Sequence, residues 1–402
     1  MTHLATTAVR SGIESDTQYG AVTPPVYLSS NYSFEGFGKP RQYDYARSGN
    51  PTRSALENAL AELEHGAGGV VTSSGMSAVS LPLQLLQPGD LLIAPHDCYG
   101  GTYRLFTNLA QRGQFELLYV DQSDDAAIEE AFSKNPKMLW IETPSNPLLR
   151  VVDVSKLAEL AKSHECLTVV DNTFLSPAQQ LPLELGADIV VHSTTKYING
   201  HSDVVGGGVV AKDAQLAEKL AWWGNCLGIT GAPFDSFLTL RGLRTLPVRI
   251  KQHQENTTQI VEFLDAHAGI KKVYYPGLAS HPSHEIAKKQ QTGYGAIVSF
   301  ELDETQYDIV KFLESLELFS LAESLGGVES LICHPATMTH AAMDEPAQLR
   351  AGITRSLIRV SVGIELVDDL LLDLQRSLKL SQLTQSSNEV TEKAKEVSCE
   401  PC

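Results

Sequence analysis

The chain has 402 residues, of which 43% are hydrophobic and 20% charged, a composition that excludes a chain disordered throughout. Its length exceeds what one compact core usually spans, so two or more domains are expected. The formal net charge of −17 opposes binding to nucleic acid or anionic membranes, so neither is an expected partner, and a small anionic ligand would need a local cluster of positive groups.

Residues 1–55 are predicted to form a loop-like N-terminal arm. They are rich in Tyr, Ser, Pro and Gly, and both Pro24-Pro25 and Gly49-Asn50-Pro51 interrupt regular structure. Such a segment makes no core of its own, so we expect it to lie on another surface, that of a neighbouring subunit. Residues 1–12 lack the apolar core and the cleavage site of a signal peptide.

Residues 56–250 are predicted to form an α/β domain. A helix over Ser54–Glu64 places Leu56, Leu60 and Leu63 on one face, and apolar runs then alternate with helical stretches. Continuous apolar runs separated by helices predict a mostly parallel central sheet that is buried on both faces. The predicted strands are Gly69–Thr72, Leu91–Ala94, Leu117–Val120, Met138–Ile141, Thr168–Val170, Ile189–Val191 and Gly208–Val210.

The alternation stops near residue 250, and a smaller C-terminal α+β domain is predicted over residues 251–380. A long helix is predicted over Pro247–His267, and strands over Ala296–Phe300 and Leu357–Val362. Residues 381–402 are polar and are predicted to form a disordered tail.

The number of cysteines and the length of the apolar runs bear on the cellular location of the protein. Six cysteines are too sparse for a disulfide framework, and for the C-x-x-C pair Cys399 and Cys402 an inert tail is favoured over a zinc or redox site. No run approaches the roughly 20 apolar residues of a membrane helix. A cytoplasmic protein is therefore expected.

Polar and aromatic residues follow the predicted strands at the point where each strand ends. In open α/β sheets, ligands bind beyond the carboxyl ends of the strands, so these residues are expected to meet at one rim. The residues that follow strands in this way are Ser74-Gly75-Met76, Tyr99, Pro144-Ser145-Asn146-Pro147, Asp171-Asn172-Thr173 and Ser193-Thr194-Thr195-Lys196.

Three of these features have both a chemical and a plain structural interpretation. The turn at Ser74-Gly75-Met76 is an anion site at a helix start, or only a helix cap. Lys196 is a nucleophile toward carbonyls, or a lysine that snorkels at the sheet edge. Asp171 is the partner of a ligand nitrogen that must stay protonated, or another helix cap. One pyridoxal cofactor would explain all three.

Several segments together resemble the family of Cys/Met-metabolism pyridoxal-phosphate (PLP) enzymes, over about residues 5 to 380. The segments are Tyr-Ala-Arg-Ser-Gly-Asn-Pro-Thr at 45–52, Asp-Cys-Tyr-Gly-Gly-Thr-Tyr-Arg at 97–104, Asp-Asn-Thr-Phe at 171–174, Ser-Thr-Thr-Lys-Tyr at 193–197, Gly-His-Ser-Asp-Val at 200–204 and Ala-Glu-Ser-Leu-Gly-Gly at 322–327. The resemblance implies the type I fold of PLP-dependent transferases, which is aspartate-aminotransferase-like. It also implies pyridoxal 5′-phosphate as cofactor and a homotetramer built from dimers with shared active sites.

Three further segments resemble the bacterial synthases of this family, which transfer a thiol onto an activated homoserine in methionine biosynthesis. They are Leu-Ala-Trp-Trp-Gly-Asn at 220–225, Ile-Thr-Gly-Ala-Pro-Phe-Asp-Ser at 229–236 and His-Pro-Ala-Thr-Met-Thr-His at 334–340. The implied substrates are small amino acids, O-succinyl- or O-acetylhomoserine together with cysteine. The γ-lyases and sulfhydrylases of the family share most of these motifs, and γ-elimination of cystathionine is the runner-up.

The resemblance also implies a role for each matching residue. Lys196 corresponds to the Schiff-base lysine, Asp171 to the partner of the pyridine nitrogen, and Tyr99 to the aromatic residue stacked on the ring. The residues implied to contact the phosphate are Gly75, Met76, Ser193 and Thr195, with Tyr45 and Arg47 reaching the phosphate of the adjacent subunit's cofactor. The residues implied to bind substrate are Asn146 and Arg359, at its α-carboxylate, and Asp44, Arg104, Glu323 and Ser324.

Ser48 departs from the pattern of some synthases of the family, which carry a second arginine at this position. The γ-lyases often have Ser there. Serine cannot supply the bidentate clamp that arginine forms with a distal carboxylate. Arg104 remains a candidate for that clamp, and the choice between succinyl and acetyl activation stays open.

Three rival functions make predictions that the sequence does not meet. A nicotinamide enzyme would need spaced glycines after a strand, which are missing. A non-catalytic relative would lack Lys196 or Asp171, and both are present. A metal hydrolase built from His96, His192, His201 and Asp203 would need a metal-binding spacing that these residues do not have, so no metal is predicted.

Overall fold

The computed structural model describes residues 3–341, 343 and 345–383 of the chain. Its larger sheet contains all seven strands predicted from the apolar runs. The strands are β1 (Gly68–Thr72), β2 (Leu91–Pro95), β3 (Glu116–Val120), β4 (Met138–Glu142), β5 (Leu167–Asp171), β6 (Ile189–His192) and β7 (Gly207–Ala211). Their order is β1-β7-β6-β5-β4-β2-β3. Only β7 runs in the opposite direction to the other six strands, so the sheet is mostly parallel, as predicted.

Helices cover both faces of this sheet, which explains why the middle of its strands is apolar on both faces. Alternate residues point to opposite faces. Val169 thus packs in the hydrophobic core on one face and Val170 in the core on the other. The helices of this part are α1 (Leu4–Arg10), α2 (Pro51–Leu63), α3 (Gly75–Ser80), α4 (Gly100–Gln111), α5 (Asp125–Phe132), α6 (Val154–Ser163), α7 (Ser176–Gln179), α8 (Ala214–Leu227) and α9 (Pro233–Leu243).

Local sequence fixes where several of these helices begin. Asn50 caps α2 by accepting hydrogen bonds from the backbone N–H groups of Thr52 and Arg53, and Pro51 occupies the first helical position. Asp124, Asp153 and Asp213 cap α5, α6 and α8 in the same way. The caps start each helix after its strand, so the strand ends stay open as the rim of the sheet.

The C-terminal part contains a second sheet with the strand order β10-β11-β12-β9-β8. Its elements are α10 (Leu246–Ala266), β8 (Ile270–Tyr274), α11 (His284–Gln290), β9 (Ile297–Leu302), α12 (Ile309–Ser315), β10 (Ser320–Leu321), β11 (Leu331–Cys333), α13 (Glu345–Ala351), β12 (Leu357–Ser361) and α14 (Val367–Ser381). Ile358 and Val360 pack into the core of this part with Phe312 of α12, whereas Arg359 between them lines a cavity.

The arm is not loop throughout, because residues 4–10 form α1. Ala8 is fully buried, and α1 contacts α2 and α10. The sequence signal is short, a single apolar spacing from Leu4 to Ala8, and the Pro and Gly residues beyond it dominated the prediction. From residue 11 to Asn50 the arm consists of turns and extended chain, much of it exposed.

The first residues of the predicted tail belong to the folded part of the chain. Ser381 still belongs to α14, and Gln382 forms an isolated bridge with Tyr307. The remainder of the predicted tail, with Cys399 and Cys402, lies outside the described residues. Across the described part of the chain, no helix has both the length and the apolar character needed to cross a bilayer.

Candidate active site

A cavity of about 340 Å³ opens beyond the carboxyl ends of β2, β4, β5 and β6. The loop around Ser324 and the strand β12 complete its wall from the C-terminal part. Most of the residues predicted to form the site line this cavity. They are Gly75, Met76, Tyr99, Asn146, Asp171, Ser193, Thr195, Lys196, Glu323, Ser324 and Arg359.

Lys196 lies in the turn after β6 and points into the cavity rather than snorkelling to solvent. Its Nζ donates a hydrogen bond to Ser324 Oγ at 2.7 Å. Burial, and after it the positive charge of Arg359, lower the pKa of the Lys196 amine to about 8, while Glu323 acts in the opposite direction. A lysine with such a pKa has a larger fraction of uncharged, nucleophilic amine near neutral pH than an ordinary lysine.

Asp171 ends β5 beneath the same cavity. Its Oδ1 accepts a hydrogen bond from the backbone N–H of Thr173 at 3.0 Å. Burial raises the pKa of Asp171, whereas the hydrogen bonds from the Thr173 side chain and backbone lower it. A buried carboxylate of this kind suits a ligand nitrogen that carries a proton.

The turn between β1 and α3 approaches the turn after β6 very closely. Ser74 Oγ caps α3 by accepting from the backbone N–H of Ser77 at 3.1 Å. A Cβ atom at Gly75 would lie 2.7 Å from Cβ and Oγ of Ser193, so only glycine permits this approach. The start of α3 and the Ser193 hydroxyl thus converge, with Thr195 in the same cavity wall and its hydroxyl bonded to the backbone of Gly206. Backbone N–H and hydroxyl donors are what a phosphate group requires.

Arg359 projects from β12 toward the same space. Its Nη1 donates to Asn146 Oδ1 at 2.9 Å and its Nη2 to the Ser324 carbonyl oxygen at 2.8 Å. Both acceptors are neutral, and among the described residues the buried Nε has no partner. A guanidinium in this state is suited to a substrate carboxylate.

Four predicted residues lie outside the cavity of their own chain. Arg47 Nη1 donates to the carbonyl oxygen and to Oδ1 of Asn225, each at 2.8 Å. Asp44 Oδ1 accepts from Ser48 Oγ at 2.8 Å, and the Tyr45 ring is about half exposed. Arg104 lies exposed on α4. Their roles stay predictions.

The structure adds Glu142, Phe174 and Thr339 to the cavity wall, and Thr173, predicted at the rim, lies there too. Glu142 ends β4, and its Oε2 accepts a hydrogen bond from the backbone N–H of Tyr99 at 2.8 Å. The sequence signal was present, because a carboxylate directly follows the apolar run Met138–Ile141 at the predicted rim. The apolar run predicts a strand that ends at Ile141, one residue before Glu142, and the rim residues predicted after it begin at Pro144.

The histidines considered as metal ligands have other partners. His192 Nε2 lies 2.6 Å from Glu64 Oε1 with both side chains fully buried, and His201 Nδ1 lies 2.7 Å from the Asn199 carbonyl oxygen. In the described part of the chain, no three His, Cys, Asp or Glu side chains are placed to hold a metal ion.

The cavity fits pyridoxal phosphate on observations made in this structure alone. It offers an amine of lowered pKa at Lys196, a buried carboxylate at Asp171 and converging donors at the start of α3. The Tyr99 ring is 42% exposed at the wall, so its face is available to a planar ligand. These groups match the aldehyde, the ring nitrogen and the phosphate of the cofactor.

Comparisons with known proteins agree with this chemistry. The sequence profile of the family described as Cys/Met metabolism PLP-dependent enzyme matches residues 5–379. Cystathionine gamma-synthase from Escherichia coli K12 is 56% identical over 376 residues, which are 93% of this chain and 97% of that protein. Cystathionine beta-lyase from Coxiella burnetii is 48% identical over 378 residues, 94% of this chain and 98% of that protein.

A solved structure matches equally well. The crystal structure of cystathionine gamma synthase from Xanthomonas oryzae pv. oryzae in complex with aminoacrylate and cysteine has a TM-score of 0.93 at 59% identity and covers 94% of this chain and 98% of that one. The predicted fold class and the cofactor are therefore confirmed. The relatives differ in the reaction that their names give, so what they share is the family and its cofactor. This chain belongs to the Cys/Met metabolism family of PLP-dependent enzymes.

Proposed function

We propose that the chain is a cystathionine γ-synthase, which joins O-succinylhomoserine or O-acetylhomoserine to L-cysteine and releases cystathionine and the free acid. Its similarity to the synthases of Escherichia coli and Xanthomonas oryzae supports this choice within the family. We further propose that the reaction serves methionine biosynthesis by transsulfuration, in the cytoplasm.

One observation carries the chemical part of the proposal. Ser324 binds the Lys196 amine through Oγ at 2.7 Å and the Arg359 guanidinium through its carbonyl oxygen at 2.8 Å. A substrate whose carboxylate lies on Arg359 therefore has its α-carbon near Lys196. An α-amino acid meets this requirement, because its carboxylate and its reactive hydrogen are both attached to Cα.

Each residue of the site then has a defined task. Arg359 and Asn146 hold the substrate α-carboxylate, which fixes the direction of the Cα–H bond. Asp171 would keep the ring nitrogen of the cofactor protonated through its negative charge. Tyr99 supplies an aromatic face. Pyridoxal phosphate, when bound, supplies an electron sink for the negative charge that develops beside the substrate's amino group.

Lys196 is the base in this proposal. Its amine has a pKa of about 8, so it takes up and returns protons near neutral pH. It removes the Cα proton and then a Cβ proton, and both are returned before the product leaves. The Cγ–O bond of the activated homoserine breaks, a Cγ–S bond forms with cysteine, and the thiol proton leaves with the carboxylic acid.

Cleavage of cystathionine by γ-elimination is the second candidate. The observation that favours it is Ser48, where some synthases carry an arginine that would clamp a distal carboxylate. Here the Ser48 hydroxyl shares its proton between two acceptors, Asp44 Oδ1 at 2.8 Å and the Tyr45 carbonyl oxygen at 2.7 Å, so it is engaged within the arm. The similarity to a cystathionine beta-lyase adds β-elimination as an outcome to be checked.

Product analysis distinguishes these reactions. The purified enzyme is supplied with O-succinyl- or O-acetylhomoserine, with and without cysteine, and separately with cystathionine. A synthase forms cystathionine from an activated homoserine plus cysteine faster than it forms 2-oxobutanoate and ammonia. Faster release of 2-oxobutanoate from cystathionine would identify a γ-lyase, and release of pyruvate and homocysteine a β-lyase.

A further inference from the structure

Glu142 stands beside Asp171 at paired positions of two neighbouring parallel strands, each the last residue of its strand. Paired positions of adjacent strands present their side chains to the same face of a sheet. Both carboxylates line the cavity, and Glu142 is only 7% exposed. A second buried carboxylate next to Asp171 is costly unless it does something for the site.

Glu142 holds the start of the helix that carries Tyr99. Its Oε2 accepts the backbone N–H of Tyr99, the residue that precedes α4, at 2.8 Å. The Tyr99 ring folds back over Gly101, where a Cβ atom would lie 2.5 Å from the ring and 3.0 Å from the sulfur of Met76. One edge of the ring is therefore packed against this turn while the rest stays open to the cavity, so the placement of the ring depends on that of the Tyr99 backbone.

Like charges surround the Glu142 carboxyl group. Burial raises the pKa of Glu142 well above its usual value, and the charges of Asp171 and Asp97 raise it further. The backbone N–H groups of Tyr99 and Asn146 lower it. The net direction is upward, which favours the protonated form near neutral pH.

Asp171 has stronger support for its charge. Burial raises its pKa too, but the side chain and backbone of Thr173 donate hydrogen bonds to it, and His192 lowers its pKa further. Two adjacent buried carboxylic acids do not both ionise easily. The negative charge of the pair thus belongs on Asp171 and the proton on Glu142. Cys98, a further titratable neighbour, has its pKa raised well above the usual value, chiefly by burial, so it stays neutral.

We propose that Glu142 is a positioning residue that holds the Tyr99 backbone, and through it the Tyr99 ring, against the bound cofactor while the negative charge stays on Asp171. This proposal rests on PLP binding and is independent of which substrate reacts. It predicts that the hydrogen-bond acceptor of Glu142 matters for the cofactor and that its charge does not.

Two substitutions separate the acceptor from the charge. Glu142→Gln keeps the size and an acceptor oxygen, whereas Glu142→Leu removes the acceptor and leaves the Tyr99 N–H unpaired. We expect Glu142→Leu to weaken pyridoxal phosphate about tenfold, and Glu142→Gln to stay within about threefold of the unsubstituted enzyme. The visible circular dichroism of the bound cofactor, which reports how the ring is seated, should change in Glu142→Leu and persist in Glu142→Gln.

Asp373 offers a matched control outside the cavity. It is a buried carboxylate of α14 whose oxygens accept the backbone N–H groups of Glu317 and Leu318. Asp373→Leu should lower the thermal unfolding midpoint while leaving cofactor affinity and visible circular dichroism unchanged, because it removes the same kind of bond, together with an ion pair to Arg376, at a place outside the cavity.

Two results would overturn the proposal. One is a Glu142→Leu enzyme with normal cofactor affinity and a normal visible band. The other is a Glu142→Gln enzyme as impaired as Glu142→Leu, which would mean that the charge is required. Both measurements are made without substrate, so an enzyme that proves to be a lyase leaves them intact.

Discussion

Ser324 contacts both Lys196 and Arg359. Its backbone φ of 85° is a conformation that residues other than glycine rarely adopt. Its hydroxyl and its carbonyl oxygen contact Lys196 and Arg359 in this conformation. Unusual backbone angles at such places are typical of sites where geometry is held for function. No sequence pattern gives this φ, so the spacing of Lys196 and Arg359 could not be predicted, although both residues were.

Lys196 is the residue whose loss should be most complete. Lys196→Ala removes the amine that anchors the cofactor and the base that moves protons, so turnover should fall at least about a thousandfold. The visible absorption of lysine-bound pyridoxal phosphate should disappear. Lys212→Ala, at an exposed lysine after β7, is the control and should change neither. A Lys196→Ala enzyme with the normal visible spectrum would contradict the role of this residue.

Arg359→Ala should separate substrate binding from cofactor binding. Removing one partner of a buried charged contact costs about 2 kcal/mol or more, so KM should rise by roughly 30-fold while cofactor content stays normal. Arg355→Ala, at an exposed arginine four residues earlier, is the matched control. Loss of the cofactor together with substrate affinity would show that Arg359 does not act on the substrate alone.

The same substitution should shift a pH dependence in a defined direction. The pKa of Lys196 is about 8, and this value already includes the lowering by burial and by the positive charge of Arg359. Without that positive charge the pKa rises, so the uncharged amine appears only at higher pH. The pH at which cofactor-free enzyme reacts with pyridoxal phosphate at half its maximal rate should therefore move upward in Arg359→Ala. An unchanged or lower midpoint would rule out this electrostatic coupling.

At the scale of whole elements, the apolar runs predicted every strand of the larger sheet because those strands are buried on both faces. Val169, Val170, Val190 and Val191 are all fully buried, and such continuous burial leaves a continuous apolar signal. The antiparallel direction of β7 and the strand order arise from long-range pairing, on which a local pattern carries no information. Glu142 escapes prediction for a related reason, since the apolar signal of a strand does not show whether the polar residue after it still belongs to that strand.

Gly75→Ala tests the close approach between α3 and the turn after β6. A Cβ at this position would lie 2.7 Å from Ser193, so the two turns must separate, which typically costs about 1–3 kcal/mol. We expect roughly tenfold weaker binding of pyridoxal phosphate, measured by titration of the cofactor-free enzyme. Gly36→Ala is the control, because a Cβ there meets nothing closer than 4.0 Å. Normal affinity in Gly75→Ala would remove the phosphate from this turn.

At the scale of the molecule, the arm exposes several large apolar side chains. Tyr19 is 83% exposed, Leu28 71% and Phe37 completely, and Trp222 of α8 and Phe234 of α9 are more than half exposed. Where such side chains form a contiguous patch on a surface, they mark a contact with another protein. Tyr45 and Arg47 belong to this arm and lie outside the cavity of their own chain, which supports the expectation that they complete the site of a second copy.

A mixture of two inactive variants tests this shared site. If Arg47 reaches the neighbour's cofactor, a subunit with Lys196→Ala and a subunit with Arg47→Ala form a pair in which one site carries both defects and the other neither. Random reassociation makes half of the pairs hybrid, so mixing should restore roughly a quarter of the activity. Each variant unfolded and refolded alone is the control and should stay inactive. If hybrids form but activity does not return, Arg47 serves its own chain, and the arm covers a neighbour without completing its site.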